Sequence, residues 1–177
     1  MTGREEGVPA RPFDPASPFS LLDEDETAFW YSYMKVLLRV RYEMNRQLRT
    51  ASGISMADYD VLVALTSEGD GRLRVGDLAV RIGWERSRLS HHLARMRARG
   101  LVATDRSEDD HRGSEVALTA EGRRVLAEAT PGHVAFVRAA VLDALPREDL
   151  GRLHDALDRV YDSLIEHGSL PRPSDHP

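Results

Sequence analysis

Between Trp84 and Val102 the sequence reads WERSRLSHHLARMRARGLV. Arginine, serine and histidine at this density suit one kind of chemistry, the donation of hydrogen bonds to anions. From Arg81 to Arg99 there are six arginines and a single acid, Glu85, a local +5 in a chain whose formal net charge is −5. A basic stripe on an acidic body points to a directed anionic partner; the bland alternative is a solvated helix face. At about 100° per residue, Leu89, Leu93 and Met96 share one face of a helix. Ser87, His91, Ala94 and Ala98 fall opposite, flanked by Arg88 and Arg95. Small outward residues let a helix backbone sit deep in a DNA groove. Arginine can then hold guanine O6 and N7 through two parallel hydrogen bonds, worth about 1–3 kcal/mol against the wrong base. Ser87 and Ser90 can donate to phosphate or base, and His91 to an acceptor on the groove floor.

Other chemistries find little support. The chain has no cysteine, which excludes disulfides, thiol nucleophiles and thiolate metal sites. His91 and His92 are adjacent, point about 100° apart on a helix, and cannot jointly grip a metal. Phosphate loop, zinc-protease helix and nucleophile elbow are absent, so an enzyme is not expected, nor a cofactor. Asp, His and Ser do meet in RSEDDHR, residues 106–112, but a polar hairpin tip cannot hold the geometry of a triad. The N-terminal residues lack an apolar signal core and no apolar run approaches about 20 residues, which suggests a cytoplasmic protein without a membrane span.

The elements that must position the stripe follow from periodicity and punctuation. Residues 1–22, rich in Pro, Gly, Ala and Ser, read as a disordered arm. A long helix is expected from Asp23 to about Thr50, its acids in the first turn and its apolar face on Phe29, Tyr33, Val36, Val40, Met44 and Leu48. Ser55 and Asp58 form a capping-box pattern for the next helix, which EGDG at 68–71 stops. A short helix from about Val75 to Ile82, a turn at Gly83 and Trp84, and a helix from about Glu85 to Arg99 complete a helix-turn-helix, with Gly100 as a left-handed cap. LVATD and SEVALT then make a two-stranded hairpin around RSEDDHRG. Thr119 caps a helix expected to kink or break near Pro131 and to resume through Leu145; Pro146 opens the last one, and 169–177 is a frayed tail. The fold class is therefore mainly α with a small β-wing, a winged helix-turn-helix over 55–119 flanked by helices at 23–54 and 120–168. In such a motif the second helix enters the major groove. The wing tip carries Arg106 and Arg112, and Asp110 is placed to hold the Arg112 guanidinium ready for a narrow minor groove; a mobile, solvated loop is the alternative.

Together the segments ADYDVLVAL, DLAVRIGWERSRLSHHLARMRARGLV, the wing DRSEDDHRG and LTAEG resemble the multiple antibiotic resistance regulator (MarR) family, from about Asp25 to about His167. The resemblance implies a homodimer whose first and last helices interleave, reading a palindromic operator in double-stranded DNA, most simply as a repressor. It implies that residues 86–91, Arg86 among them, supply major-groove and phosphate contacts, that Arg112 enters the minor groove and that Asp110 orients it. Surplus apolar faces at both ends of the chain agree with a twofold partner. The family also implies a small aromatic or phenolic effector. Trp30, Tyr33, Met34 and Tyr59 lie on elements that would line its crevice, where Arg39 or Arg46 could meet a carboxylate; ordinary packing is the alternative role for each aromatic. Two departures stand out. Oxidant sensing through cysteine is impossible here, and Gly76 occupies the place where a Ser or Thr cap is expected, at a cost of a few tenths of a kcal/mol. A winged-helix module that binds protein is the competing reading, and it has no need of Arg88, Arg95 and Arg112 on one surface.

Overall fold

The computed structural model describes Asp14 and residues 16–67, 69–105 and 114–173. By its internal contacts the chain divides into Met1–Glu43 and Met44–Pro177. In the first unit, Ser17 caps a single 3-10 turn, Pro18–Leu21. Helix α1, Glu24–Ser52, then starts on a reciprocal pair: the Glu26 amide donates to Asp23 Oδ1 at 2.9 Å, and the Asp23 amide to Glu26 Oε2 at 3.0 Å. This satisfies two amides that the helix itself leaves without partners. The aromatic residues of α1 cluster locally, with Trp30 and Tyr33 stacked at 5.5 Å and Phe29 and Tyr33 at 6.1 Å. Phe29, Val36, Leu38 and Tyr42 are 59–67% exposed in the single chain.

The second unit holds the core. Helix α2, Met56–Thr66, begins with the expected capping box: Ser55 Oγ accepts from the Asp58 amide and Asp58 Oδ2 from the Ser55 amide. There follow β1 (Arg72–Arg74), α3 (Val75–Arg81), α4 (Arg86–Ala98), β2 (Val102–Asp105), β3 (Glu115–Leu118), α5 (Ala120–Ala140) and α6 (Arg147–His167). Leu48, Leu62, Leu65, Leu78, Leu89 and Met96 are fully buried together. Glycine ends both helices of the helix-turn-helix in the same way. Gly83 and Gly100 take φ of 66° and 73°. After α3 the Trp84 and Gly83 amides donate to Ala79 and Val80; after α4 the Leu101 and Gly100 amides donate to Met96 and Arg97. These are paired Schellman bonds, which need a left-handed residue at the turn. Thr119 closes the joint to α5, its hydroxyl donating to the Gly100 carbonyl at 2.7 Å and accepting from the Gly122 amide at 2.9 Å.

Three expectations are corrected. The expected antiparallel pair, β2 with β3, is present, but β1 adds a third strand to it, giving a sheet in the order β1-β3-β2 with Leu73 opposite Val116 and Val102 opposite Leu118. Residues 72–74 are too few for an alternating pattern to stand out, yet Leu73 is buried between exposed arginines. Helix α5 does not break near Pro131. It runs on to Ala140, and the interruption falls at Val141, before a 3-10 turn at Leu142–Ala144. An interior proline forgoes one helix bond and costs about 3 kcal/mol, a penalty that the rest of a 21-residue helix can offset. Finally, Ala120–Ala144 does reach the length and mean hydropathy, 1.2, of a membrane-crossing helix, although only 17% of that apolar window is buried within the chain. On α6, likewise, no residue is buried in the single chain.

Candidate nucleic-acid interface

The burial of α4 divides it lengthwise. Leu89, Leu93 and Met96 are at most 3% exposed, whereas Arg86, Ser87, Arg88, Ser90, His91, Ala94, Arg95 and Ala98 all face solvent. The Schellman turn at Gly83 sets where α4 begins, and Trp84, buried at that turn, anchors it. Arg86 passes over Gly76, where a Cβ would lie 3.7 Å from its guanidinium carbon. The cap of α3 is not at Gly76, as the sequence suggests, but at Arg74, and Gly76 lies within the first turn. No side chain caps α3 at Arg74; the Val75 amide donates instead to the Ser114 carbonyl at 3.0 Å. Arg88 stacks its guanidinium 4.2 Å from the Trp84 ring centre, which narrows its conformations without satisfying its donors. Ser90 donates to the Arg86 carbonyl at 2.8 Å, so its oxygen is left chiefly as an acceptor.

The remaining arginines of the stripe separate by role. Arg81 is buried and donates to the Ala64 carbonyl at 3.0 Å, near the end of α2. Arg97 donates to Thr104 on β2 at 2.9 Å. Arg99 donates to Asp58 Oδ2 at 2.8 Å. Hence the charge that crowds this stretch in sequence partly braces the fold, and Arg86, Arg88 and Arg95 remain on the outer face. Arg106, Asp110 and Arg112 lie outside the described residues. Trp30, Tyr33 and Met34 belong to the first unit, the last two half-buried there; Tyr59, in the second, packs its ring 4.5 Å from that of His133. Burial lowers the His133 pKa, against the pull of Asp60.

A buried polar cluster behind α4 was not anticipated. Asp58 and His92 are 3% and 7% exposed. His92 Nδ1 lies 3.0 Å from Arg95 Nη2, and because a guanidinium only donates, Nδ1 accepts. The ring proton is therefore on Nε2, which lies 3.0 Å from Asp58 Oδ1, close but off the line of a well-formed hydrogen bond. The His92 ring also meets Trp84 edge-on at 5.4 Å. Burial pushes the Asp58 carboxyl up, but bonds from His92, the Ser55 amide, Arg99 and the Ser55 hydroxyl more than offset it, so the group sits far below the usual carboxylate range. One carboxylate thereby ties the start of α2 to the middle and the end of α4. Helical spacing contained the signal: Leu89, His92, Leu93 and Met96 follow the i, i+3, i+4, i+7 pattern of one buried face.

A carboxyl with a lowered native pKa stabilises the fold above its unfolded pKa, about 3.9, and that contribution is lost as the pH falls toward the native value. Asp58→Asn should therefore be less stable near neutral pH, by about 3 kcal/mol, because His92 and Arg99 lose a buried anionic partner. It should also lose less stability than the wild type on acidification below about pH 5. Urea denaturation across pH checks both statements. Equal acid slopes would mean that Asp58 does not govern this part of the profile.

The sequence matches the MarR family over residues 52–113. The structure is similar to that of Sco3205, a MarR family transcriptional regulator from Streptomyces coelicolor solved in complex with DNA. The identity is 35%, the TM-score 0.79, and the match covers 85% of this chain and 94% of that one. AbsC, another MarR family regulator from Streptomyces coelicolor, is 33% identical with a TM-score of 0.77, covering 82% of this chain and 98% of its own. The HTH-type transcriptional regulator YfiV of Bacillus subtilis (strain 168) is 27% identical over 147 residues, 82% of this chain and 88% of that protein.

Proposed function

Since this chain belongs to the MarR family of transcriptional regulators, we propose that it acts in the cytoplasm as a homodimeric repressor that binds a palindromic operator and releases it on binding a small aromatic acid. The observation that carries the DNA part is the division of α4 into a buried apolar face and an outer face bearing Arg86, Ser87, Arg88, Ser90, His91 and Arg95. The short side chains of Ala94 and Ala98 keep that face slim enough for the major groove. In this reading the wing adds Arg106 and Arg112 to the DNA contacts, Arg112 in the minor groove with Asp110 as its orienting partner. The dimer is supported by exposed apolar residues on both terminal helices: Val36 and Leu38 on α1, Leu153, Leu157, Val160 and Leu164 on α6. The effector reading is supported by the stacked aromatic pair of Trp30 and Tyr33, next to Met34 on α1.

Selection of bound duplexes from random sequence tests this directly. The expected result is an inverted repeat with half-sites about one helical turn, ~34 Å, apart. Recovery of no sequence preference at modest salt would overturn the reading and leave a protein-binding winged helix in its place. Arg112→Ala should lower operator affinity about tenfold and leave the dimer intact, as an electrophoretic shift with parallel sedimentation would show. Wild-type affinity in that variant would remove the wing from the interface. Titration of phenolic acids into the protein–operator complex tests the effector, and unchanged affinity with all of them would exclude it.

A further inference from the structure

His92 lies on the inner flank of α4, only 7% exposed. Each of its ring nitrogens has a charged neighbour, Asp58 Oδ1 at 3.0 Å from Nε2 and Arg95 Nη2 at 3.0 Å from Nδ1. The other charged groups gathered around it are Arg49 from the last turns of α1 and Arg88 and Arg99 from α4 itself; Trp84, edge-on to the ring, is neutral. Asp58, whose carboxyl sits far below the usual carboxylate range, stays ionised wherever a histidine titrates. Arg95, by contrast, is an exposed side chain tied back to a buried acceptor. That bond uses one of the several N–H donors of the guanidinium, so it limits where the fork points and leaves it able to meet an anion.

From this arrangement we infer that His92 is a positioning residue for DNA binding: its neutral ring holds Arg95 ready for the phosphate backbone, and a proton on Nδ1 releases it. The inference rests on the reading that α4 enters the major groove. In that geometry the first half of the helix meets base edges, and Arg95, four residues beyond His91 on the same exposed stripe, faces phosphate. A long side chain fixed beforehand loses less freedom on binding. The anchor exists in one protonation state only. The neutral ring offers a lone pair at Nδ1, whereas the imidazolium has N–H at both nitrogens and turns a positive charge toward the guanidinium. Asp58 keeps its partner in both states, so the proton changes chiefly the Arg95 side of the ring. Acidification therefore weakens the Arg95 contact. His91 acts in the opposite sense, because it is exposed on the outer face and gains a charge that attracts DNA as the pH falls. The Arg95 share must be read apart from it.

The measure is the ratio of affinities of the wild type and Arg95→Ala for the duplex recovered by selection, taken between about pH 8 and about pH 5.5 at constant ionic strength. His91 titrates in both proteins and cancels. The expected ratio is about threefold to tenfold at the upper end, the scale of fixing one long side chain in advance, and falls by half or more at the lower end. Repeated on a His92→Gln background, whose amide oxygen accepts from Arg95 and takes no proton, the ratio should keep its upper value throughout. On a His92→Leu background it should stay low throughout, with circular dichroism showing that each protein is folded. A ratio independent of pH in the wild type, or one that falls equally in His92→Gln, would overturn the inference. A ratio that rises on acidification would mean that the neutral ring keeps Arg95 from DNA, and would overturn it too. A second arm uses no DNA. Nitrogen-15 spectra of the imidazoles, with His92 assigned by its absence in His92→Gln, should show the Nε2–H tautomer near pH 8 and an Nδ1 resonance that moves in Arg95→Ala. The other tautomer, or an unmoved Nδ1, would overturn the anchor. An anchor present in this arm, with no duplex preferred in the first, would mean that α4 does not bind DNA, and the role of the pair falls with that reading.

Discussion

Arg88→Ala should weaken operator binding by about tenfold to a hundredfold and flatten the base preference at one position in each half-site. A bidentate contact to guanine discriminates by about 1–3 kcal/mol, and each 1.4 kcal/mol is a factor of ten. The effect belongs to Arg88 more than to its neighbours because of what holds it. Its guanidinium lies on the Trp84 ring, so little conformational freedom remains to be lost on binding, and that stack uses none of its N–H donors. Arg97 and Arg99, by contrast, are already bonded to Thr104 and Asp58. Salt dependence separates the two ways in which Arg88 could act. A base-reading side chain leaves the slope of log affinity against log salt nearly unchanged, whereas loss of a phosphate contact lowers its magnitude by about one. Binding selection repeated on the variant gives the independent measure. If the variant returns the wild-type motif with only a shallower salt slope, Arg88 is a phosphate contact.

The same residues show what could be read from the chain alone. Local rules were legible wherever the signal is local: the Ser55–Asp58 capping box, the glycine stop at Gly100 and the division of α4 at Leu89, Leu93 and Met96 all depend on neighbours within one or two turns. The six-arginine stripe was legible as charge but not as surface, because whether Arg81 turns in to Ala64 or Arg99 back to Asp58 depends on partners 17 and 41 residues away. Asp58 was recognised as a cap and missed as the hub of a buried cluster for the same reason. His92 was weighed for metal binding beside His91, while its place in the apolar spacing of α4 already marked it as buried. Strand β1 escaped because three residues carry almost no pattern, and its pairing with β3 joins Leu73 to Val116 across most of the domain's sequence. The intrinsic penalty of Pro131 points to a kink or a break, whereas α5 continues through it because a long helix can absorb that cost.

Leu157→Glu should convert the protein to a monomer and reduce operator binding more than a hundredfold. At about 100° per residue, Leu153, Leu157, Val160 and Leu164 fall within an arc of about 60° on α6. They are 41–61% exposed in the single chain, and nothing on that helix is buried. Water exposure of such a row is unfavourable by about 25 cal/mol per Å², so a partner that covers it stabilises each leucine by about 1.5–3 kcal/mol. A carboxylate placed mid-row loses that gain and adds the cost of desolvating an unpaired charge, several kcal/mol per ion. In a symmetric pair both costs occur twice. A monomer retains one recognition helix and loses the linkage between half-sites, which is why the DNA effect exceeds that of any single contact. Because the row contributes nothing to the core of its own chain, the variant should keep its helical content by circular dichroism, which separates loss of pairing from loss of fold. Arg152→Glu, off the apolar row and 83% exposed in its side chain, makes the same helix more acidic and should leave the dimer intact. Sedimentation of the three proteins decides the matter: a dimeric Leu157→Glu with wild-type operator affinity would show that the α6 row is not where two copies meet.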